Sequence, residues 1–520
     1  MRKFVARFAS LVTAVLCGFD RIVFRGSLLG FRRPGAMFTF LTRAGVQLVD
    51  FKRFVVATSE SIKAASLAEA TDNGRPVRYL ESSKTDKEAL ARLLLEENPI
   101  DEGLVCALKT VEPCKTFEYH RSADRTQRGL RLRHSKCLHL YKYWLHPTFG
   151  FMNARLQTWF PFNIQVCMNG REWLGRQLAR EGLVDFQRND NCFTLLGDPE
   201  RAQRLMDEQL ATDWPQALED IAAALNPLHE TLFKPWPQSY YWSAYQTEWA
   251  TDILFKDPRS LAGIYPGLVK YAIEHFQSPD VMRFLGRKAH GNFTGELVTS
   301  FKDRAEGVRV KHWVGGNSIK MYDKAGSVLR VETTVAKPTG FKVYRPLQDD
   351  TEARHLQWLP MRKGVADLHR RAQVSQRANE TYLDALAAVD DDDTKLASVL
   401  DRVSRRAAIN GHRVRALRVG DPDDLKLLQV IARGEFSISG FRNRDLRRLL
   451  YPSRSNVSDA ERRRLSARIS RLLRLLRAHG IVHKVPKANV YRLSPAGRLL
   501  TSGLFAARAA SLKQLLREAA

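Results

Sequence analysis

Cysteine is scarce in this chain and nowhere paired in sequence. Six residues, Cys17, Cys106, Cys114, Cys137, Cys167 and Cys192, show no C-x-x-C spacing, and none lies beyond position 192. That distribution excludes a zinc ribbon and argues against a disulfide scaffold, so reduced, mostly buried thiols in a cytoplasmic protein are expected. No apolar run approaches the roughly 20 residues that a bilayer span needs, so no membrane partner is expected. The nearest candidate, Phe8–Phe19 behind the basic segment Met1–Arg7, ends in Asp20 and Arg21 without a small-residue cleavage site, so no signal peptide is expected. Phosphate-binding P-loops, dinucleotide fingerprints, G-x-S-x-G elbows and internal repeats are all missing. Acidic residues are also short, with 56 Asp and Glu against 83 Lys and Arg.

The resulting net charge of +27 repels itself on folding, and a polyanion is the usual compensation. The excess is uneven: residues 401–520 hold 27 basic and 9 acidic side chains, a net +18. Nucleic acid is therefore the expected partner, docked mainly at the C-terminal end. With 44% apolar and 9% aromatic residues over 520 positions, the chain has ample core for several domains.

Periodicity predicts an α+β multidomain protein, with mixed-sheet N-terminal and central regions and a C-terminal winged helix-turn-helix. Residues 1–198 read as an α/β domain, with strands at Gly74–Leu80, Gly103–Val111 and Cys137–Leu145 and a helix at Lys87–Glu97. Residues 199–300 read as mainly helical, and 301–350 as a β-meander. Residues 351–420 form a helical linker region carrying the aspartate run Asp390–Asp393, and 421–520 a DNA-binding domain.

In that last segment, helices over Asp423–Arg433, Arg442–Leu450 and Ser458–Gly480 precede strands at Ile481–Val485 and Val490–Leu493. The order resembles the winged helix-turn-helix fold. In the third helix Leu465, Ile469, Leu472, Leu473 and Leu476 form an apolar stripe, while Arg464, Arg468, Arg471 and Arg474 occupy other arcs. A helix packed on one face and coated with arginine on the others suits a major groove. Arg442 and Arg444 on the second helix, with Lys484 and Lys487 on the wing, complete the expected nucleic-acid-binding set.

A second constellation lies at Asn317–Lys324, followed by Val328–Glu332. In a hairpin Lys320, Tyr322 and Lys324 share a face, as do Arg330 and Glu332 on the partner strand. This Tyr-Asp-Lys box with its Leu-Arg-x-Glu strand resembles the corresponding segment of rolling-circle replication initiators and conjugative relaxases. The resemblance implies that Tyr322 is the nucleophile forming a 5′-phosphotyrosyl link. It also implies that Glu332 sits by Mg²⁺ or Mn²⁺ and that Lys324 and Arg330 neutralise phosphate. The His-hydrophobic-His ligand pair of those enzymes is missing, and His139 is the nearest substitute metal ligand. Asp20, Glu172, Glu248 and Asp252 are further candidates for a transposase-like carboxylate set, since two-metal phosphoryl transfer needs clustered acids.

The whole chain is also similar to a widespread bacterial family, on blocks such as Gly18–Arg21, Lys136–Tyr141, Asn169–Trp173 and Phe441–Arg447. That likeness implies an origin and no activity. Three functions are compatible with these features. One is a mobile-element enzyme that nicks or transfers DNA strands, with duplex at the C-terminal domain and single strands at the central site. The others are a non-catalytic DNA-binding regulator, possible also as a homodimer, and an RNA-binding protein.

Overall fold

The computed structural model describes residues 1–121, 128–276, 281, 284–286, 297–304, 307–347, 355–387, 396–409, 411–433, 436, 440–452, 458–485 and 489–509. Lys487 and the aspartate run Asp390–Asp393 lie outside the described residues. The chain is mixed α/β and forms two compact units, each assembled from separate stretches. One comprises Thr13–Lys256 with Gly315–Gln376, the other Met1–Val12, Asp257–Val314 and Arg377–Ala520. A boundary at residue 198 therefore falls inside the first unit.

That first unit is built on a broad sheet. Its strands are β1 (Val12–Leu28), β2 (Val77–Leu80), β3 (Gly103–Arg121), β4 (Arg128–His146), β5 (Gly150–Gln157) and β6 (Ile164–Asn169). The chain continues through a small hairpin, β7 (Phe186–Asn189) with β8 (Cys192–Leu196), to the long strand β9 (Tyr240–Phe255). After β10 (Leu297–Arg304) and β11 (Gly307–Val314), which pair with each other in the second unit, come β12 (Asn317–Lys324) and β13 (Val328–Val335). Neighbours across the sheet of the first unit run β12-β13-β9-β1-β6-β5-β4-β3-β2. The β2–β3 pair is parallel, joined through the expected helix Lys87–Glu97, whereas β12–β13, β13–β9, β1–β6 and the β3-to-β6 meander are antiparallel.

Strand β9 corrects the helical expectation for residues 199–300. Helices do fill Pro199–Glu208, Trp214–Leu225 and Pro258–His275, but Tyr240–Phe255 is a strand in the middle of the sheet. Its first half alternates buried and exposed residues, while its second half is buried on both faces, and periodicity cannot separate such a run from a buried helix. Within the region 351–420, expected to be helical, Leu356–Pro360 is a strand, the chain turns through Val365–Asp367, and a helix follows at Leu368–Leu386.

An aromatic cluster anchors one side of the sheet. Phe31 packs its ring against Phe40, Phe117, Phe160, Phe233 and Trp236 with centroid separations of 5.6 to 6.2 Å. In the second unit the C-terminal helices Pro422–Ile431, Asn443–Leu450 and Asp459–Ala478 and the hairpin Val482–Lys484 with Tyr491–Leu493 enclose their own apolar core, which includes Leu428, Phe441, Leu446, Ile469, Leu476 and Leu500. Phe441 adds a bridge to Tyr491 at the hairpin edge. Replacing Phe31 with Ala removes a ring contacted from five directions. We expect a loss of about 3–5 kcal/mol in the unfolding free energy of the first unit, read by urea denaturation.

Candidate functional site

The sheet centre of the first unit holds a buried ionic network. On β13, Arg330 lies opposite Tyr322 of β12 on one side and Asp252 of β9 on the other. Its guanidinium donates to Asp252 from Nε at 2.6 Å and Nη2 at 2.8 Å, to Asp20 of β1 from Nη1 at 2.9 Å, and to the Asn191 carbonyl at 2.8 Å. Arg171 approaches Asp252 from the far side, at 2.8 Å from Nη2, and also donates to the Phe19 carbonyl. Both arginines are fully buried.

Local sequence places Arg171. Asn169 at the end of β6 caps the helix Gly170–Arg180, its Oδ1 accepting from the Arg171 and Glu172 amides at 2.7 and 3.2 Å. Gly170 is required there because a Cβ would collide with the Phe19 carbonyl of β1. Burial alone would raise the Asp252 carboxyl, but the two guanidinium groups outweigh it and hold the group below the usual carboxylate range.

On the open side of this network, carboxylate oxygens of Asp20, Glu248 and Glu332 all lie within 4.8 Å of one another. Three strands, β1, β9 and β13, supply them. Glu332 faces Lys320 directly across the β12–β13 pair, with Lys320 Nζ at 2.8 Å from its Oε1 but poorly aligned for a hydrogen bond. The Tyr322 hydroxyl donates to the other Glu332 oxygen at 3.0 Å.

Burial raises the Glu332 carboxyl to about 7; Lys320 opposes the shift, while Asp20 and Glu248 add to it. Such a raised acid holds a proton in the folded state that the unfolded chain releases. The stability it contributes therefore declines as pH rises from about 4.5 to about 7. Burial, reinforced by Glu332, likewise drives the Tyr322 phenol well above its ordinary value.

Asp20 and Glu248 line a cleft of about 270 Å³ with Lys320 and Tyr322, and with Asn191, Arg21 and Arg92 on its walls, whereas Glu332 is fully buried beside it. Asn191 donates its amide to both Asp20 oxygens at 3.0 and 3.2 Å, and its own Oδ1 is buried without a partner. Three convergent carboxylates make a hard oxygen-donor set. Its spacing suits a divalent cation with ligands about 2.1–2.5 Å from the metal.

The hairpin register joins Tyr322, Glu332, Lys320 and Arg330 as the alternation predicted, but the expected roles divide differently. Arg330 does not face the cleft, since every guanidinium nitrogen is bound to protein acceptors inside the sheet. Lys324 pairs with Asp190 at 2.9 Å. The cations that do line the cleft are Lys320, Arg21 and Arg92.

His139 is not beside Glu332: it sits on β4, five strands from β13 and so roughly 24 Å away at about 4.8 Å per strand, next to Cys114 and Cys137. The two positions share only a broad sheet, and nothing in sequence spacing reports that separation. Of the extra acids, Asp20 and Glu248 join Glu332, Asp252 is sealed between the two arginines, and Glu172 pairs with Arg188 at 2.7 Å and Arg92 at 3.4 Å. Arg92 and Asn191 carried no sequence signal and Arg21 none beyond its place in the block Gly18–Arg21, because each reaches the cleft from a different segment.

In the second unit Arg464, Arg468, Arg471 and Arg474 are exposed on the helix Asp459–Ala478, whose other face buries Ile469, Leu473, Leu475 and Leu476. Arg442 and Arg444 are exposed at the start of the helix Asn443–Leu450, and Lys484 on the hairpin. Asn443 locks the two helices, its amide donating to the Ser466 carbonyl at 2.9 Å and to Ser470 Oγ at 3.0 Å. Arg468 leans over the Tyr451 ring at 5.3 Å.

Comparison of the chain with protein-family models, curated proteins and solved structures finds no match. Replacing Arg330 with Met leaves Asp252 half-paired and removes the inward partner of Asp20. Unfolding free energy is expected to fall by about 3–5 kcal/mol, measured by chemical denaturation at neutral pH.

Proposed function

We propose that the protein is a divalent-cation-dependent enzyme of mobile-element type that nicks or transfers DNA strands at the Asp20–Glu248–Glu332 cleft, with its C-terminal segment acting as a winged helix-turn-helix on duplex DNA. The observation that carries this reading is the convergence of three carboxylates from three strands beside the Tyr322 hydroxyl. Mg²⁺ or Mn²⁺ fits the donor set, and bound there it would offset the carboxylate charge and polarise a phosphodiester oxygen.

The chain's own groups then have distinct tasks. Tyr322 gives its proton to Glu332, whose Oε2 accepts its hydrogen bond, and the phenolate oxygen bonds to phosphorus. The P–O bond to the 3′-oxygen breaks and that oxygen leaves as an alcohol after taking from Glu332 the proton that Tyr322 gave up, so the strand end stays attached as a 5′-phosphotyrosyl ester. Lys320, Arg21 and Arg92 supply the positive charge that a phosphate entering the cleft requires. The exposed arginines of Asp459–Ala478 match base edges and phosphates, while Arg442, Arg444 and Lys484 match backbone contacts.

One observation favours a hydrolytic variant of the same site. The Tyr322 phenol is shifted upward and already hydrogen-bonded to Glu332, so it is also placed to orient that carboxylate while a water attacks. Incubation with supercoiled and single-stranded DNA plus Mg²⁺ or Mn²⁺ separates the two. A covalent adduct lost in Tyr322→Phe supports the tyrosine route; nicks that persist in Tyr322→Phe without adduct support hydrolysis. Cleavage by neither route on any substrate overturns the enzyme and leaves a DNA-binding regulator, and tighter binding to structured RNA than to duplex DNA at fixed salt points to RNA instead.

Since Glu332 must give up its proton to ligate, Mn²⁺ affinity measured by calorimetry should rise from about pH 6 to about pH 7 and flatten above, a dependence abolished in Glu332→Gln. Arg468→Ala or Arg471→Ala should weaken duplex binding by about 1–3 kcal/mol in a fluorescence titration.

A further inference from the structure

A basic and aromatic strip continues from the carboxylate cleft along one face of the sheet. Arg25 of β1 lies directly opposite Gln165 of β6, which lies opposite Arg155 of β5, which in turn lies opposite Tyr141 of β4. Directly opposed residues share a face, so these four half-buried side chains form one row across four neighbouring strands. Two residues along, Val23, Cys167 and Asn153 make the next row on the same face, and Cys167 and Asn153 line the cleft. The first row therefore lies about 7 Å from the cleft wall, at about 3.4 Å per residue.

Exposed rings flank the row. The Arg25 guanidinium lies 4.1 Å from the centre of the Tyr245 ring on the adjacent strand β9, and Tyr245 is 47% exposed. Four residues back on β9, Tyr241 is 40% exposed, with Arg32 6.0 Å from its ring centre. The other face of β9 anchors the strand there through buried Tyr240, Trp242 and Ala244, so the core has no need of Tyr241 or Tyr245.

Charge on the row is unbalanced. Arg155 is offset by Glu112 at 2.9 Å, whereas Arg25 meets no acidic partner among the described residues. Burial, with Arg155 adding to it, lowers Arg25 from its ordinary value, so an anion held above the row favours both guanidinium groups in their charged form.

We propose that this strip binds single-stranded DNA, with backbone phosphates at Arg25 and Arg155 and bases stacked on Tyr245 and Tyr241. A guanidinium stacked on a ring keeps its N–H edge for phosphate, and the open side of the ring receives a base. Duplex DNA fits poorly, because its bases are already stacked on one another, whereas an unpaired base offers a whole ring face to tyrosine. The assignment rests on the DNA-strand reading of the cleft and deepens it by naming where the strand runs beside the reacting phosphate.

The test titrates the full-length chain, in EDTA, with fluorescein-labelled oligothymidylate followed by anisotropy at several salt concentrations. Tyr245→Ala should weaken binding about fivefold or more, while Tyr245→Phe, which keeps the ring, should bind within about twofold of the wild type. Arg25→Gln should flatten the slope of log affinity against log salt by about 0.7, the loss of one phosphate contact on a single strand. Duplex affinity should not change in any of the three. In the wild-type chain, oligothymidylate carrying one photoreactive 5-iodouracil should crosslink to Tyr241 or Tyr245, mapped by mass spectrometry. Unchanged oligothymidylate affinity and slope in Tyr245→Ala/Arg25→Gln would overturn the strip, as would crosslinks confined to other segments. Tighter binding of oligouridylate than of oligothymidylate at the same salt would overturn DNA in favour of RNA. Metal-dependent cleavage by a chain whose strand binding ignores Tyr245 and Arg25 removes the strip and keeps the enzyme. Strand binding through both residues without cleavage keeps the strip and removes the enzyme.

Discussion

Two arginines and an aspartate in the middle of a sheet set the terms for everything around them. Arg330, Asp252 and Arg171 are buried where ionisation is tolerable only in mutual contact, and each therefore fixes the position of the element that carries it. Arg330 ties β13 to β9 and, through Asp20, to β1, while Arg171 ties in the helix that leaves β6. A sheet core of aliphatic residues would hold these strands together equally well but would not dictate which way Asp20 points. With one Asp20 oxygen held by Arg330 and both by Asn191, the carboxylate is aimed at the cleft.

Charge balance then explains the chemistry proposed for the cleft. Four carboxylates, Asp20, Asp252, Glu248 and Glu332, meet three cations, Arg171, Arg330 and Lys320. Arg21 and Arg92 on the cleft wall add further positive charge, and it is chiefly burial, with Asp20 and Glu248 adding to it, that makes Glu332 hold its proton to about pH 7. A divalent cation would displace the Glu332 proton on ligation, while the proton of the Tyr322 hydroxyl already points at the same carboxylate. Fixed groups of this kind need no rearrangement as charge develops on a reacting phosphate.

Much was legible in the chain before any fold was known. The helix Lys87–Glu97, the hairpin Asn317–Lys324 with Val328–Val335, and the order of the C-terminal helices all follow from local periodicity and turn residues. Alternation on that hairpin placed Lys320, Tyr322, Arg330 and Glu332 together because a strand's period of two is a local property. Strand β9 was hidden, since burial on both faces erases the alternation that marks a strand. The partnership of Glu332 with Asp20 and Glu248, the sealing of Arg330 away from the cleft, and the removal of His139 to another part of the sheet were decided by strand order. Strand order is a matter of which distant segments pair, and it is set by the burial of the whole sheet and by ion pairs more than 70 residues apart in sequence, of which no short window of residues holds a record.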